Sequence, residues 1–297
     1  MKNVERTGAR VVAWPAFADY WAFSKPRVTL LVWTTTFFGM VLAGGLTSGS
    51  PLLFVSTLLG SWFVIAGANG LNQVLEANYD AKMRRTASRP IPSYRMNRVE
   101  GLWLSSAWAL AGFVQLAVFV NWPTALLGLS SILLYAFAYT PLKRRSHLST
   151  AIGAIPGAIP PLAGWVAVRG SVGPEAILLF ALQFIWQFPH FWAIAWLLRD
   201  DYGRVGFKML PFPDADAAAT ARCSFNYSLV LVALSIGPLL FVEKQGWYLV
   251  ATIASAAVIL RASSGFVLTP SDLSARKLLK ASVLYLPVQL LAWALCA

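Results

Sequence analysis

Apolar stretches long enough to cross a bilayer recur from one end of this chain to the other, and the segments between them alternate in character. This pattern constrains the fold more than any single motif. We read about nine spanning helices, near 27–47, 52–77, 99–119, 122–140, 149–168, 175–197, 222–243, 246–264 and 279–296. Hydrophobic residues make up 58% of the chain and charged residues only 12%, against about 25% charged in soluble domains. The expected fold class is therefore all-α and polytopic, with 1–297 as one transmembrane domain and 1–24 as a cytoplasmic N-terminal segment.

The loops after odd-numbered spans are short and nearly neutral, and those after even-numbered spans are longer and basic. Only Arg169 and Lys244 fall on the neutral side, with Arg261 nearer the basic side. The positive-inside rule then places the N-terminus and the basic loops in the cytoplasm and the C-terminus outside. Moving the span count by one would scramble this segregation, so an odd number is favoured. The same segregation accounts for most of the net charge of +12 without nucleic acid as a partner. Residues Met1 to Ala22 lack the basic start, short apolar core and cleavage site of a signal peptide, and a bacterial inner membrane is the simplest location. Cys223 and Cys296 have neither metal-ligand spacing nor the look of a redox pair.

Chemistry concentrates at the end of the second span. Asn72, Glu76 and Asp80 follow one another at four-residue intervals, which stacks them on one helix face. All three offer oxygen to a hard cation such as Mg²⁺. Lys82, Arg84, Arg85 and Arg89 follow at once and suit a polyanion. Oxygen ligands followed by a basic cluster are what a metal–diphosphate complex requires. A dipole-favoured helix end and a topogenic loop explain the arginines as well. They do not explain Asn72 and Glu76 at membrane depth, where polar groups are expensive and usually functional.

A second acidic pair, Asp200 and Asp201, opens the stretch from Arg199 to Pro211 on the same side. Acids at the C-terminal end of a spanning helix oppose its dipole, which argues against a stabilising role and for a second metal site. A solvated loop explains the pair equally well when it is taken alone. Lys143, Arg144 and Arg145 follow Tyr139-Thr140-Pro141 and could neutralise a leaving diphosphate, or be topogenic. His190 sits in an aromatic span about 10 Å from its basic end, and its imidazole needs an interior partner. The aromatic residues around it suit a carbocation, a flat conjugated ligand or plain packing. Small-residue pairs Gly39/Ala43 and Gly153/Gly157 permit close helix approach. The fifth span carries Pro156, Pro160 and Pro161, so it is either a broken or kinked helix lining a cavity or a helix merely kinked for packing.

These residues together resemble the UbiA superfamily of intramembrane prenyltransferases, and within it the haem-modifying branch. The likeness covers nearly the whole chain. It rests on Lys25-Pro26-Arg27, on Asn72, Glu76 and Asp80 with Arg85-Thr86 and Arg89-Pro90, and on Tyr139 to Arg144. It rests also on Gly153 to Pro161, on Pro189-His190-Phe191-Trp192, and on Asp201-Tyr202 with Met209-Leu210-Pro211. Glu76 stands where the superfamily usually has Asp, which keeps the ligand type and lengthens its reach by one methylene.

The resemblance implies spanning helices around a central cavity, with Mg²⁺ as cofactor and farnesyl diphosphate and haem b as substrates. It implies that Asn72, Glu76 and Asp80 bind one metal and that Asp201, with Asp200, serves a second. It assigns Arg85, Arg89, Lys143, Arg144, His190 and Tyr202 to substrate, His190 toward haem. A downstream haem-modifying enzyme or an oxidase assembly factor is the partner it suggests. Two other readings stay open: transfer to a quinone precursor or another aromatic acceptor, and a transporter with broken helices.

Overall fold

The computed structural model describes residues 15–213 and 216–297. Lys2, Arg6 and Arg10, three of the charges that the positive-inside reading assigns to the basic side, lie outside the described residues. Among the described residues the structure is helical, with no strand.

Two short helices attend the first span: α1 (Phe17–Phe23) before it and α3 (Gly45–Ser48) after it. The span itself is α2 (Pro26–Leu42), with 17 residues, shorter than the expected 27–47. Gly44 takes a left-handed φ of 79° and ends it early. The other eight crossings are α4 (Pro51–Asp80), α5 (Arg98–Phe119), α6 (Trp122–Leu133) continued by a π-helical turn (Leu134–Tyr139) and α7 (Thr140–Arg145), α8 (Ser149–Arg169), α9 (Pro174–Leu197), α11 (Ala217–Leu234) with a 3₁₀ turn, α12 (Gln245–Leu268) and α13 (Asp272–Cys296). A short helix α10 (Arg199–Val205) lies between α9 and α11. The chain is a multi-pass membrane protein.

The chain runs around the bundle in order, α4 against α5, α5 against α6, α8 against α9 and α12 against α13. Helix α8 is the most buried of the long crossings and packs on α2, α6 and α9. It is one unbroken helix despite its prolines, which removes the broken alternative. The ring of Pro160 removes the usual donor to the carbonyl of Pro156, and Ser131 Oγ supplies one at 3.3 Å. Glycine makes the α2–α8 contact feasible. A Cβ on Gly164 would stand 2.0 Å from the carbonyl oxygen of Thr36, and one on Gly39 2.0 Å from that of Pro161.

Helix α4 begins at the Ser50 cap, whose hydroxyl accepts from the Leu53 amide, with Pro51 at its first position. Its 30 residues make about 45 Å, well beyond the roughly 30 Å hydrocarbon core. The last turns therefore rise to the mouth of the bundle. The segments that meet there are the basic ones: Asp201 accepts from the backbone of Arg84 and Arg85, Lys208 donates its amide to the carbonyl of Lys143, and Arg199 pairs with Asp272.

Candidate active site

Asn72, Glu76 and Asp80 are all buried, at 2%, 4% and 1% exposure, so the four-residue spacing turns them away from lipid. Each has a cation beside it. Lys25 Nζ donates to Asn72 Oδ1 at 3.2 Å, Lys143 Nζ to Glu76 Oε1 at 2.7 Å, and Arg89 Nη1 to Asp80 Oδ2 at 2.6 Å. The turn after α4 makes the last contact feasible. Thr86, fully buried, donates its hydroxyl to the Asp80 carbonyl and folds residues 81–97 back over the helix end. The other oxygen of Asp80, Oδ1, is buried without a hydrogen-bond partner. A buried carboxylate oxygen with no donor is costly unless something positive occupies the space beside it.

Lys25 and Thr140, absent from the residues expected at the site, complete it. Lys25 caps α2 at φ 51°, a left-handed conformation strained for a lysine that precedes proline. Burial, with Arg89 and Lys143 close by, pushes its ammonium well below the usual lysine range, and Glu76 and Asp80 only partly oppose this. Thr140 accepts from Asn72 Nδ2 at 2.9 Å and spends its own proton on the Tyr135 carbonyl at 2.8 Å. Thr140 has only a lone pair left to offer, so the Asn72 nitrogen must face it. Chemistry thus fixes the Asn72 amide with its oxygen toward Lys25. The signals in the sequence were the Lys25-Pro26-Arg27 run and the Tyr139-Thr140-Pro141 run. A π turn, a feature that concentrates at functional sites, sets the second in place.

Lys143 is enclosed. Its ammonium stands 4.4 Å from the ring centre of Tyr139 and 5.7 Å from that of Phe207. Phe207 arrives on the loop after α10 and also meets Tyr79 and Tyr202. Arg144 donates to the Tyr79 hydroxyl at 2.7 Å and lies over its ring. The Arg85 side chain is exposed at the same end.

The second acidic pair needs correction. Asp200 and Asp201 do not sit at the C-terminal end of a spanning helix. The chain turns at Leu198, and both acids fall in the first turn of α10, where the dipole favours them. The electrostatic argument against a stabilising role therefore lapses. Asp201 remains beside the α4 segment through the Arg84 and Arg85 amides, at 3.3 and 3.2 Å, and meets Arg204 at 3.6 Å. Asp200 is exposed. Among the described residues no three His, Cys, Asp or Glu side chains cluster closely enough to hold a metal by themselves. A cation at α4 would therefore need the Asn72 oxygen, with ligands completed by substrate.

His190 stands apart from this centre, facing α13. Its Nδ1 is 3.0 Å from Ser282 Oγ and its ring stacks on Trp186 at 4.6 Å. The Ser282 hydroxyl already donates to the Leu279 carbonyl, so Nδ1 carries the proton and Nε2 keeps its lone pair.

Around the first centre, three cations face two carboxylates. One positive charge is left over, and a divalent cation bound to a trianionic prenyl diphosphate would balance it. The donor set of amide and carboxylate oxygens suits a hard ion, and Asp80 Oδ1 is already free to bind one.

The description "UbiA prenyltransferase family" fits residues 31–286. The protoheme IX farnesyltransferase of Koribacter versatilis (strain Ellin345) is 41% identical over 284 residues, covering 91% of this chain and 90% of the relative. That of Solibacter usitatus (strain Ellin6076) is 39% identical over 278 residues, covering 91% and 95%. Among solved structures, a digeranylgeranylglyceryl phosphate synthase superposes with a TM-score of 0.77 at 17% identity, over 94% of this chain and 97% of that one. A UbiA homolog from Archaeoglobus fulgidus bound to GPP and Mg²⁺ gives 0.61 at 14% identity, over 92% and 99%. At such identity these structures speak for the fold alone.

Proposed function

Because this chain belongs to the UbiA prenyltransferase family, we propose that it transfers the farnesyl group of farnesyl diphosphate to a vinyl group of haem b, with addition of water. It is a prenyltransferase, and the relatives that share about two fifths of its residues over nine tenths of its length bear the name protoheme IX farnesyltransferase. The observation that carries the reading is the buried Asp80 carboxylate, one oxygen on Arg89 and the other unpartnered, among Asn72, Glu76, Lys25 and Lys143.

In this reading Asn72, Glu76 and Asp80 hold Mg²⁺, and Asp201 with Asp200 serves a second ion from the rim. When bound, the metal neutralises charge that the departing diphosphate gains. Lys25, Lys143 and Arg89 exchange their present partners for diphosphate oxygens, with Arg85 further out, and Arg144 contacts the propionate side of the acceptor. The farnesyl C1–O bond breaks as the terminal vinyl carbon bonds to C1. The cation left on the inner vinyl carbon takes up water and loses a proton, giving a hydroxyethylfarnesyl side chain and free diphosphate. Tyr202 closes the site beside Phe207. His190 serves haem, its Nε2 lone pair presented by the Ser282 hydrogen bond. The protein would sit in the bacterial inner membrane with its basic end in the cytoplasm. Its product would pass to a downstream haem-modifying enzyme or an oxidase assembly factor.

The test is the mass of haem extracted from membranes that express this chain in cells lacking such an activity. A haem heavier by one hydroxyfarnesyl unit is expected. Unmodified haem, with prenylation of a hydroxybenzoate or naphthoate acceptor instead, would overturn the choice of acceptor.

A further inference from the structure

A cavity of about 490 Å³ opens between the end of α4 and the π turn with α7. That size is within the usual range for small-molecule sites. Its inner end is Glu76 and Thr140, so it reaches the proposed metal centre. Its walls include Leu75 and Phe137, which are 38% and 58% exposed on the outside of the bundle. Both are apolar and lie on the outer surface of the bundle about five and eight residues from its basic end, so the mouth has an apolar border at the level where the bundle emerges from the hydrocarbon core. Arg144 and Arg145 stand at the outer end. Tyr79 holds the Arg144 guanidinium by a 2.7 Å hydrogen bond and by its ring face. Arg145 is exposed and forms no ion pair among the described residues.

A slot with an apolar side mouth, two arginines at headgroup level and a reactive centre at its inner end selects one kind of molecule. That molecule is a flat apolar body with carboxylates along one edge, entering sideways from the membrane. We propose that this groove is the entry site of the acceptor, a first station apart from His190, with Arg144 and Arg145 taking its carboxylates and Leu75 and Phe137 flanking its apolar body. The division of labour follows from distance. Lys25, Lys143 and Arg89 are tied to the metal-ligand side chains and serve the diphosphate, whereas Arg144 and Arg145 are not. The proposal rests on haem b as acceptor, whose two propionates supply the anionic edge. Carboxylate and lipid phosphate are both oxyanions that arginine binds, so the test separates them.

The experiment uses the full chain in phosphatidylcholine nanodiscs. Binding of haem b and of its dimethyl ester, which has the same ring without the charges, is followed by absorbance titration. Wild type should bind the diacid more tightly than the diester. Arg145→Gln should lose about tenfold in affinity for the diacid, equal to about 1.4 kcal/mol, and little for the diester. Phe137→Trp, which narrows the mouth, should weaken or slow both. Neither variant should change the KM for farnesyl diphosphate. Both positions are exposed, so folding should tolerate them, and the two variants report independently. Equal affinity of wild type for diacid and diester, or variants indistinguishable from wild type, would overturn the proposal. So would an Arg145→Gln effect that appears only when phosphatidylglycerol is added, since the groove would then hold a lipid headgroup. If instead wild type binds the diacid as described but extracted haem is never farnesylated, the assigned reaction fails and the groove stands.

Discussion

Replacing Lys143 with Met separates what its ion pair does for stability from what it does for chemistry. The pair is 2.7 Å long, and its side chains are 10% and 6% exposed. At an effective dielectric of 20, Coulomb attraction at that distance is about 6 kcal/mol, and desolvation of the two ions consumes much of it. Lys143→Met deletes the attraction and leaves Glu76 buried with nothing opposite, at a cost of about 3–5 kcal/mol. Glu76→Gln in the same chain removes the stranded charge and should return most of that loss, because neither partner is then ionised. Reversible unfolding in mixed micelles titrated with SDS measures all three proteins. The single variant should be the least stable and the double variant close to wild type, while both lose farnesyl transfer. If single and double variants unfold together, Glu76 is not charged opposite Lys143, and the account of the site as pre-paired charges is wrong.

Other changes test other parts of the site. Asp80→Asn should lower the thermal stability of the metal-free protein, because it removes the anion opposite the partly buried Arg89, lower turnover by about 10²–10³ and abolish the stabilisation given by Mg²⁺ with diphosphate. Unchanged turnover at saturating Mg²⁺ would remove Asp80 from the metal site. Thr140→Val keeps shape but frees the Asn72 amide to rotate. It should raise the Mg²⁺ concentration needed for half-maximal activity more than it lowers kcat, with Thr140→Ser restoring both. An equal fall in kcat for Val and Ser would assign Thr140 to packing alone. His190→Ala should alter the absorption spectrum of bound haem and weaken its binding, and a normal spectrum with normal affinity would end the haem role.

The crossings were legible because hydropathy over about twenty residues is a direct readout of bilayer thickness. The face of α4 was legible because a four-residue repeat nearly matches the helical turn. What hydropathy does not register is a change of direction without a change of polarity. The break at Leu198 is one such case: Arg199-Asp200-Asp201 reads as the end of a span, yet it opens α10, and the dipole argument reverses sign with it. The π turn at Leu134–Tyr139 is another, since one wider turn leaves the apolar average untouched while re-aiming Thr140 and Lys143. The prolines of α8 raised the possibility of a break, yet the helix is continuous, and Ser131 of α6 supplies a donor to the carbonyl that Pro160 leaves free. Pairing across 67 residues, as between Glu76 and Lys143, is a property of the packed bundle and has no local signature.

The paired charges also account for how such a site survives while nothing is bound. Two bare carboxylates and three bare cations at membrane depth would each carry several kcal/mol of desolvation cost. Pairing them lowers that cost and leaves unmet only one Asp80 oxygen and part of the charge on Lys25. A metal alone would take the carboxylates and strand three cations. A diphosphate alone would take the cations and strand two carboxylates. Only the two together satisfy every charge, so each should raise affinity for the other by the same factor, as linkage requires. Isothermal titration of a non-hydrolysable farnesyl diphosphate analogue with and without Mg²⁺ reads that factor directly. A value near one, with both ligands still binding, would mean that the ion pairs at Glu76 and Asp80 do not open when substrate arrives.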